Sequence, residues 1–204
     1  MASLAEWRTW WVKRRWYERN RRWRRRVRID RHAAEGGFFI RYPVEGEVLE
    51  ALDSGHLEIG EGTLLEPGCW LTLSGDARIR IGEGCFLNRN TMLAALELIE
   101  IGDHVMFANN CFVGDSHHRY DDPTKPITWQ GFEPQGPVRI GSNCWFGVGC
   151  VVTGGVEIGE RCVIGANSVV TRDLPPGVIA AGAPAKVLRE IEFKEPDGGV
   201  PGGS

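Results

Sequence analysis

Large apolar residues recur at every sixth position over most of this chain. The run Ile140, Phe146, Val152, Ile158, Ile164, Val170 is unbroken. Three shorter runs precede it: Ile59, Leu65, Leu71; then Ile81, Leu87, Leu93; then Ile101, Phe107, Val113. A period of six fits neither the 3.6-residue helix nor the two-residue alternation of a plain strand. It fits a coil with flat faces, each a short strand with one large residue pointing inward and a tight turn after it. Three hexads then close a triangular turn of 18 residues. The pattern aliphatic–charged–Ile–Gly marks the start of a coil five times, at 57–60, 79–82, 99–102, 138–141 and 156–159. Counted from the Ile, the steps are 22, 20, 39 and 18 residues. The expected fold is therefore all-β, a solenoid of stacked parallel strands in which each coil covers the one below.

Residues two apart in a strand share a face. The position two before each inward residue should also face inward, close to a corner, and should be small. Cys69, Cys85, Cys111, Cys144, Cys150 and Cys162 all occupy it, and Thr63, Thr91, Val105, Val156 and Ser168 occupy it elsewhere. The six cysteines are read as small wall residues. No CxxC occurs, so neither a zinc site nor a disulfide framework is expected.

The 39-residue step exceeds one coil by 21 residues, which must leave the coil as a loop, roughly 116–137. Its Pro123, Pro126, Pro134, Gly131 and Gly136 suit a loop. Its Trp129 and Phe132 argue for packing against a neighbouring subunit or a substrate. A loop of this length is either functional or disordered. His117 and His118 stand at its entrance. An imidazole titrates near neutrality and can act as a general base. From the residues alone, that role stands beside a loop histidine bonded to backbone. His104, on a turn, and His56, before the first coil, read as surface residues.

The hexads, over about residues 57–189, resemble the hexapeptide-repeat family, which implies a left-handed parallel β-helix. Within it, "IGDHVMFANNCFVGDSHHRYDDP" and the stretch from "GPVRIG" to "AGAPAKVLR" resemble acetyl-CoA-dependent O- and N-acetyltransferases of the galactoside, maltose and polysaccharide type. The resemblance implies direct acetyl transfer in a cleft between subunits of a homotrimer. His118, with Tyr120 and Asp121 behind it, matches the general base. Phe86 and Asn88 match the acceptor side. Val148, Ala166, Thr171, Arg172, Lys186 and Arg189 match the coenzyme A positions, the three cations meeting its phosphates. Trp145 either walls the cleft or packs between subunits. Where some relatives carry aspartates just after the acceptor segment, this chain has "LAALEL", a departure in which Glu97 is the one acid and nothing in the sequence positions it. Other readings are a non-catalytic scaffold and a zinc carbonic anhydrase on the same fold. The separation of His104 and His118 disfavours the second, and no metal is expected.

Charge divides the chain. Residues 1–32 carry twelve Lys/Arg against three Asp/Glu, and the remainder twelve against twenty-four. Five of the eight tryptophans lie in this basic stretch. It is read as a helical arm, 1–35, followed by a lead-in segment, 36–56. The arm either packs on the β-helix or meets an anionic membrane surface; no motif points to nucleic acid. Residues 190–204 read as a disordered Gly/Pro-rich tail. With neither a signal peptide nor a stretch of about 20 apolar residues, the expected compartment is the cytoplasm, with peripheral contact at the inner membrane face as an option.

Overall fold

The structure, a computed structural model, describes residues 37–41 and 43–194. The expected basic arm and the tail beyond Lys194 lie outside the described residues.

The hexads fold as their spacing requires. Strands collect into three parallel sheets, the faces of a triangular prism. The first face stacks Phe39–Ile40, Leu64–Leu65, Phe86–Leu87, Met106–Phe107, Trp145–Phe146, Val163–Ile164 and Val178–Gly182. The second stacks Trp70–Leu73, Met92–Ala95, Phe112–Gly114, Val151–Val152 and Val169–Val170. The third stacks Leu57–Ile59, Arg78–Ile81, Leu98–Ile101, Val138–Ile140 and Glu157–Ile158. The inward residues form columns: Leu65 on Leu87 on Phe107 on Phe146 on Ile164 along the first face. All five are shielded from solvent. Phe107 and Phe146 stack with centroids 4.5 Å apart in the core. This is a left-handed β-helix.

Each coil turns a corner through a residue with positive φ. Glycine supplies some of these, and Asn90, Asn110, Asn143 and Asn167 supply others at φ 57–61°. Asparagine tolerates this region better than other side chains do. The glycine of the Ile–Gly motif has a different reason. A Cβ on Gly141 would lie 2.6 Å from the Glu160 nitrogen in the next coil, so any side chain would pry the coils apart.

The cysteine positions are more specific than small wall residues. Each thiol reaches a corner carbonyl one coil further on: Cys69 to Asn88 at 3.3 Å, Cys85 to Gly102 at 3.1 Å, Cys111 to Gly147 at 3.3 Å, Cys144 to Gly159 at 3.2 Å, Cys150 to Gly165 at 3.1 Å and Cys162 to Pro175 at 3.2 Å. Thr63 does the same with its hydroxyl, 2.7 Å from the Gly82 carbonyl. The slot therefore takes a small side chain that also donates, which satisfies a carbonyl the strand ladders miss. All six cysteines are free thiols. Burial pushes Cys69 up to about 12 and raises Cys85 as well, which keeps both protonated.

The coil begins earlier than the repeat does. Phe39–Ile40, inside the expected lead-in, already pairs parallel with Leu64–Leu65. A short helix, α1 (Val48–Ser54), closes this end by burying Val48 and Ala51 in the core. At the other end Ala185–Glu190 runs antiparallel to Val178–Gly182. Among the described residues no helix is long and apolar enough to cross a membrane.

Gly141→Ala is expected to lower unfolding stability by about 1–3 kcal/mol, the usual cost of overpacking. The shift in urea midpoint against the parent protein measures it. An unchanged midpoint would mean the coils can separate without penalty.

Candidate active site

Every residue beyond the 18 of a coil is inserted at one place, the corner between the second and third faces. From Leu71 to Ile81, from Leu93 to Ile101 and from Val113 to Ile140 the inward spacing stretches, while at the other corners it stays at six. The long insertion leaves through Asp115. This carboxylate is fully buried and accepts hydrogen bonds from the backbone nitrogens of Leu96, Glu97 and Leu98 at 2.7, 2.7 and 2.8 Å. The Asp115 carbonyl takes Gln135 N at 2.8 Å, so one residue holds both feet of the insertion. Sequence reading passed over Asp115. The visible signal was an acid at the point where the repeat breaks.

The insertion is ordered. Ser116–His118 pairs antiparallel with Phe132–Pro134, making a hairpin stem, and its head contains a 3₁₀ turn, Ile127–Trp129. The Gln130 amide ties the head together through the backbone of Asp122 and Lys125. Asp122 caps Thr124 and pairs with Lys125 at 3.0 Å. Hydrogen bonding from Arg119 holds Asp121 below the usual carboxylate range. Trp129 is 77% exposed, and Ile127 and Phe132 are also exposed, so the head offers apolar side chains that its own chain does not cover.

The stem separates the two histidines. His118 is exposed, its ring 4.3 Å from that of Phe132 and tilted by 32°. His117 is half-buried, 5.6 Å from the Tyr120 ring, and its Nδ1 is enclosed without a hydrogen-bond partner. Asp121 is engaged by Arg119 rather than by either imidazole.

The remaining residues of the sequence reading divide between corners. Asn88 lies at the corner between the first and second faces, its Nδ2 donating to the Phe107 carbonyl at 3.1 Å, which fixes the amide. Phe86 points outward beside it, half-buried between Leu64 and Met106 on the first face. Val148 and Ala166 occupy the same corner one coil apart, linked by Asn167 N to the Val148 carbonyl at 2.8 Å, and both are exposed. Lys186 sits opposite Ala181 at the upper end of that edge. Thr171 and Arg172, also exposed, lie at the next corner, above the hairpin. Arg189, opposite Ile179, lies toward the third corner and donates to the Glu190 carbonyl at 3.1 Å. One face, about five residues or roughly 17 Å of extended chain, separates the corner of Asn88, Val148 and Ala166 from the corner of His118. One chain thus keeps these two groups of candidate residues apart.

The outward faces differ in character. The first shows Leu64, Phe86, Met106, Trp145, Val163 and Ile179, and the second Trp70, Met92, Phe112, Val151 and Val169. Trp70 and Trp145 are each 48% exposed. The third shows Glu58, Arg80, Glu100, Arg139 and Glu157, alternating in sign, with ion pairs at 3.5–3.7 Å. A groove of about 570 Å³ follows this charged ladder and contains none of the predicted site residues. His104 stands at a corner with φ 56°, 3.8 Å from Glu83. Among the described residues no group of three or more His, Cys, Asp and Glu is placed to hold a metal ion.

A triangular prism of hexapeptide coils, with a histidine-bearing hairpin at one corner and a track of small residues at the next, defines the chain as a hexapeptide-repeat β-helix protein. A family model for the hexapeptide repeat of succinyl-transferase matches residues 137–172. A galactoside O-acetyltransferase of Lactococcus lactis is 36% identical over 155 residues, 74% of this chain and 72% of that one. A probable acetyltransferase of Mycobacterium tuberculosis is 41% identical over 136 residues, 63% of this chain but 45% of that one, so the match spans less than half of the relative. In solved structures, AntD, an N-acyltransferase from Bacillus cereus, shares the fold with a TM-score of 0.63 at 22% identity, covering 76% of this chain and 82% of that one. The chain belongs to the hexapeptide-repeat acyltransferase family.

Asp115→Ala is expected to cost about 1–3 kcal/mol, because it removes the acceptor of three partly buried backbone donors. Asp115→Asn should recover part of the loss. Urea unfolding reports the stability, and the rate of proteolytic cleavage within 116–134 reports whether the hairpin has come loose.

Proposed function

We propose that the protein transfers an acetyl group from acetyl-CoA to a hydroxyl or amine of a sugar or glycan, in a cleft between copies of a homotrimer. The observation that carries this reading is the division of the candidate residues between two corners flanking the second face. The two half-sites meet when the corner of Asn88, Val148 and Ala166 on one copy faces the hairpin corner of another. Two apolar outward faces next to each other, and one charged face, favour a ring in which unlike faces meet. The exposed Trp129 and Phe132 of the hairpin are then available to the neighbour.

The cofactor's pantetheine arm lies along the small-residue track at Val148 and Ala166, where a Cβ on Gly147 would already strike Ala166 N at 2.6 Å. Lys186, exposed at the upper end of that edge, meets its phosphates together with Thr171 and Arg172 from the facing corner of the neighbouring copy, and Arg189 reaches in from the side of the third corner; all three cations lack a carboxylate partner among the described residues. The acceptor rests against Asn88 and Phe86. His118 takes the acceptor's proton as its oxygen or nitrogen attacks the thioester carbonyl. The tetrahedral oxyanion collapses, the C–S bond breaks, and the imidazolium returns the proton to the departing thiolate. Positioning removes the entropy cost of a bimolecular encounter, and the base contributes typically ~10²–10⁴-fold.

His117 is the second reading. Its enclosed, unpartnered Nδ1 is a feature His118 lacks. Peripheral membrane contact through residues 1–35 rests on their arginines and tryptophans, with the body in the cytoplasm. Sedimentation with anionic vesicles at low salt tests it, and absence of binding removes it.

Calorimetric titration with acetyl-CoA should saturate near one molecule per chain, in protein whose mass in solution is that of a trimer. His118→Ala should cut turnover by about 10²-fold or more and leave cofactor affinity nearly unchanged. If His117→Ala does so instead, the base is His117. The pair Arg172→Ala and Lys186→Ala should weaken acetyl-CoA binding by roughly tenfold or more, the loss of charge-assisted hydrogen bonds. Folded trimer that binds no acetyl-CoA would make this a non-catalytic scaffold.

A further inference from the structure

One position per coil stacks in single file along the corner between the first and second faces. Asn90 N donates to the Pro67 carbonyl, Asn110 N to Arg89, Gly149 N to Asn109 and Asn167 N to Val148. These bonds order the file as Pro67, Arg89, Asn109, Val148, Ala166. Neighbours are one coil apart, about 4.8 Å, so Arg89 lies roughly 10 Å below Val148.

The Arg89 side chain is exposed and makes no hydrogen bond or ion pair among the described residues. Beyond residue 32, carboxylates outnumber Lys and Arg by twenty-four to twelve. Arg41, Arg80, Arg119, Lys125 and Arg139 each have a carboxylate partner. Among the described residues, Arg78, Arg89, Arg161, Arg172, Lys186, Arg189 and Lys194 have none. Arg172, Lys186 and Arg189 are the cations already placed at the cofactor's phosphates. Arg161 faces the Phe193 ring at 5.9 Å. Arg78 stands at the foot of a different corner, and Lys194 is at the end of the described chain. Arg89 is the uncompensated cation on the cofactor's own file, at the end opposite the phosphate-binding group. Glu66, the acid next to Pro67 in the coil below, is buried and is held by Arg41. Asn88 precedes Arg89, and the exposed Asn109 stands one coil above it.

We propose that the acceptor carries an anionic group, a phosphate or a carboxylate, and that Arg89 binds it. The inference rests on the cofactor placement given above. With the pantetheine arm running down the file past Ala166 and Val148, the thioester is delivered at the level of Asn109. The acceptor's reacting atom meets it there, beside Asn88. Its ring occupies the next coil down, and the Arg89 guanidinium closes the far end with a bidentate contact to the anion. Positive charge at both ends of the corner matches a bisubstrate complex that is anionic at both ends.

The test is calorimetric titration of the full chain, saturated with coenzyme A, with glucose, glucose 1-phosphate and glucuronate in turn. At least one anionic sugar should bind at least tenfold more tightly than glucose, and which one it is tells phosphate from carboxylate. Arg89→Gln should lower that affinity tenfold or more and leave acetyl-CoA affinity unchanged, while Arg89→Lys should retain part of the preference. Equal binding of glucose, no binding of either anionic sugar, or an unchanged preference in Arg89→Gln would overturn the assignment. If the parent protein binds no acetyl-CoA, the acetyl-transfer reading fails. If it binds acetyl-CoA but shows no anion preference, only the role of Arg89 falls.

Discussion

Coils stacked one strand spacing apart set every residue against its own counterpart in the next turn. This requirement shapes the rest of the molecule. Apolar columns tolerate themselves, so Ile lies on Ile and Phe107 on Phe146. Amides tolerate themselves, and Asn90 donates to Asn110 across 3.0 Å. Carboxylates do not, because like charges opposite one another in a sheet repel. The outward column of the third face therefore alternates in sign from Glu58 to Glu157. Backbone groups obey the same rule: a carbonyl missed by the ladder at one corner is missed at every equivalent corner, and the donors at Cys69, Cys85, Thr63 and their counterparts answer it coil by coil.

The stack also decides where irregularity can go. An extra residue within a face would shift every strand above it out of register. Extra residues at a corner displace nothing. All three enlarged coils use the corner between the second and third faces, and the largest enlargement carries both histidines. Asp115 makes this possible by spending a buried charge on the backbone of the coil below, so the spine is sealed where the chain departs. His117 and His118 thus lie on an appendage and Asn88, Val148 and Ala166 at a corner, while the interior stays periodic.

That division explains how far the sequence could be read. Ile59, Leu87, Val152 and the rest announce the faces because a column must repeat. The cysteines announce inward slots, but not their donor role, since a thiol and a methyl group look alike in a pattern of small residues. The hairpin was expected as a loop without regular structure. Its order comes from Gln130, Asp122 and Thr124 bonding to local backbone, and such contacts have no period. The first strand, Phe39–Ile40, escaped because a half-coil below the first full repeat has no partner hexad in sequence. The division of Asn88 and His118 between corners was not legible either, since spacing along a helix of coils does not say which edge a residue shares with another.

The last strand, Ala185–Glu190, runs against the direction of all its neighbours on the first face. A parallel solenoid ends in open strands, and an open parallel edge is a template on which a second molecule can continue the same coil. Head-to-tail growth of this kind is polymerisation without any new interface chemistry. A reversed strand presents the wrong hydrogen-bond spacing to an incoming coil, and Lys186 and Arg189 place charge on the rim. Along that face, the fold carries its own chain terminator.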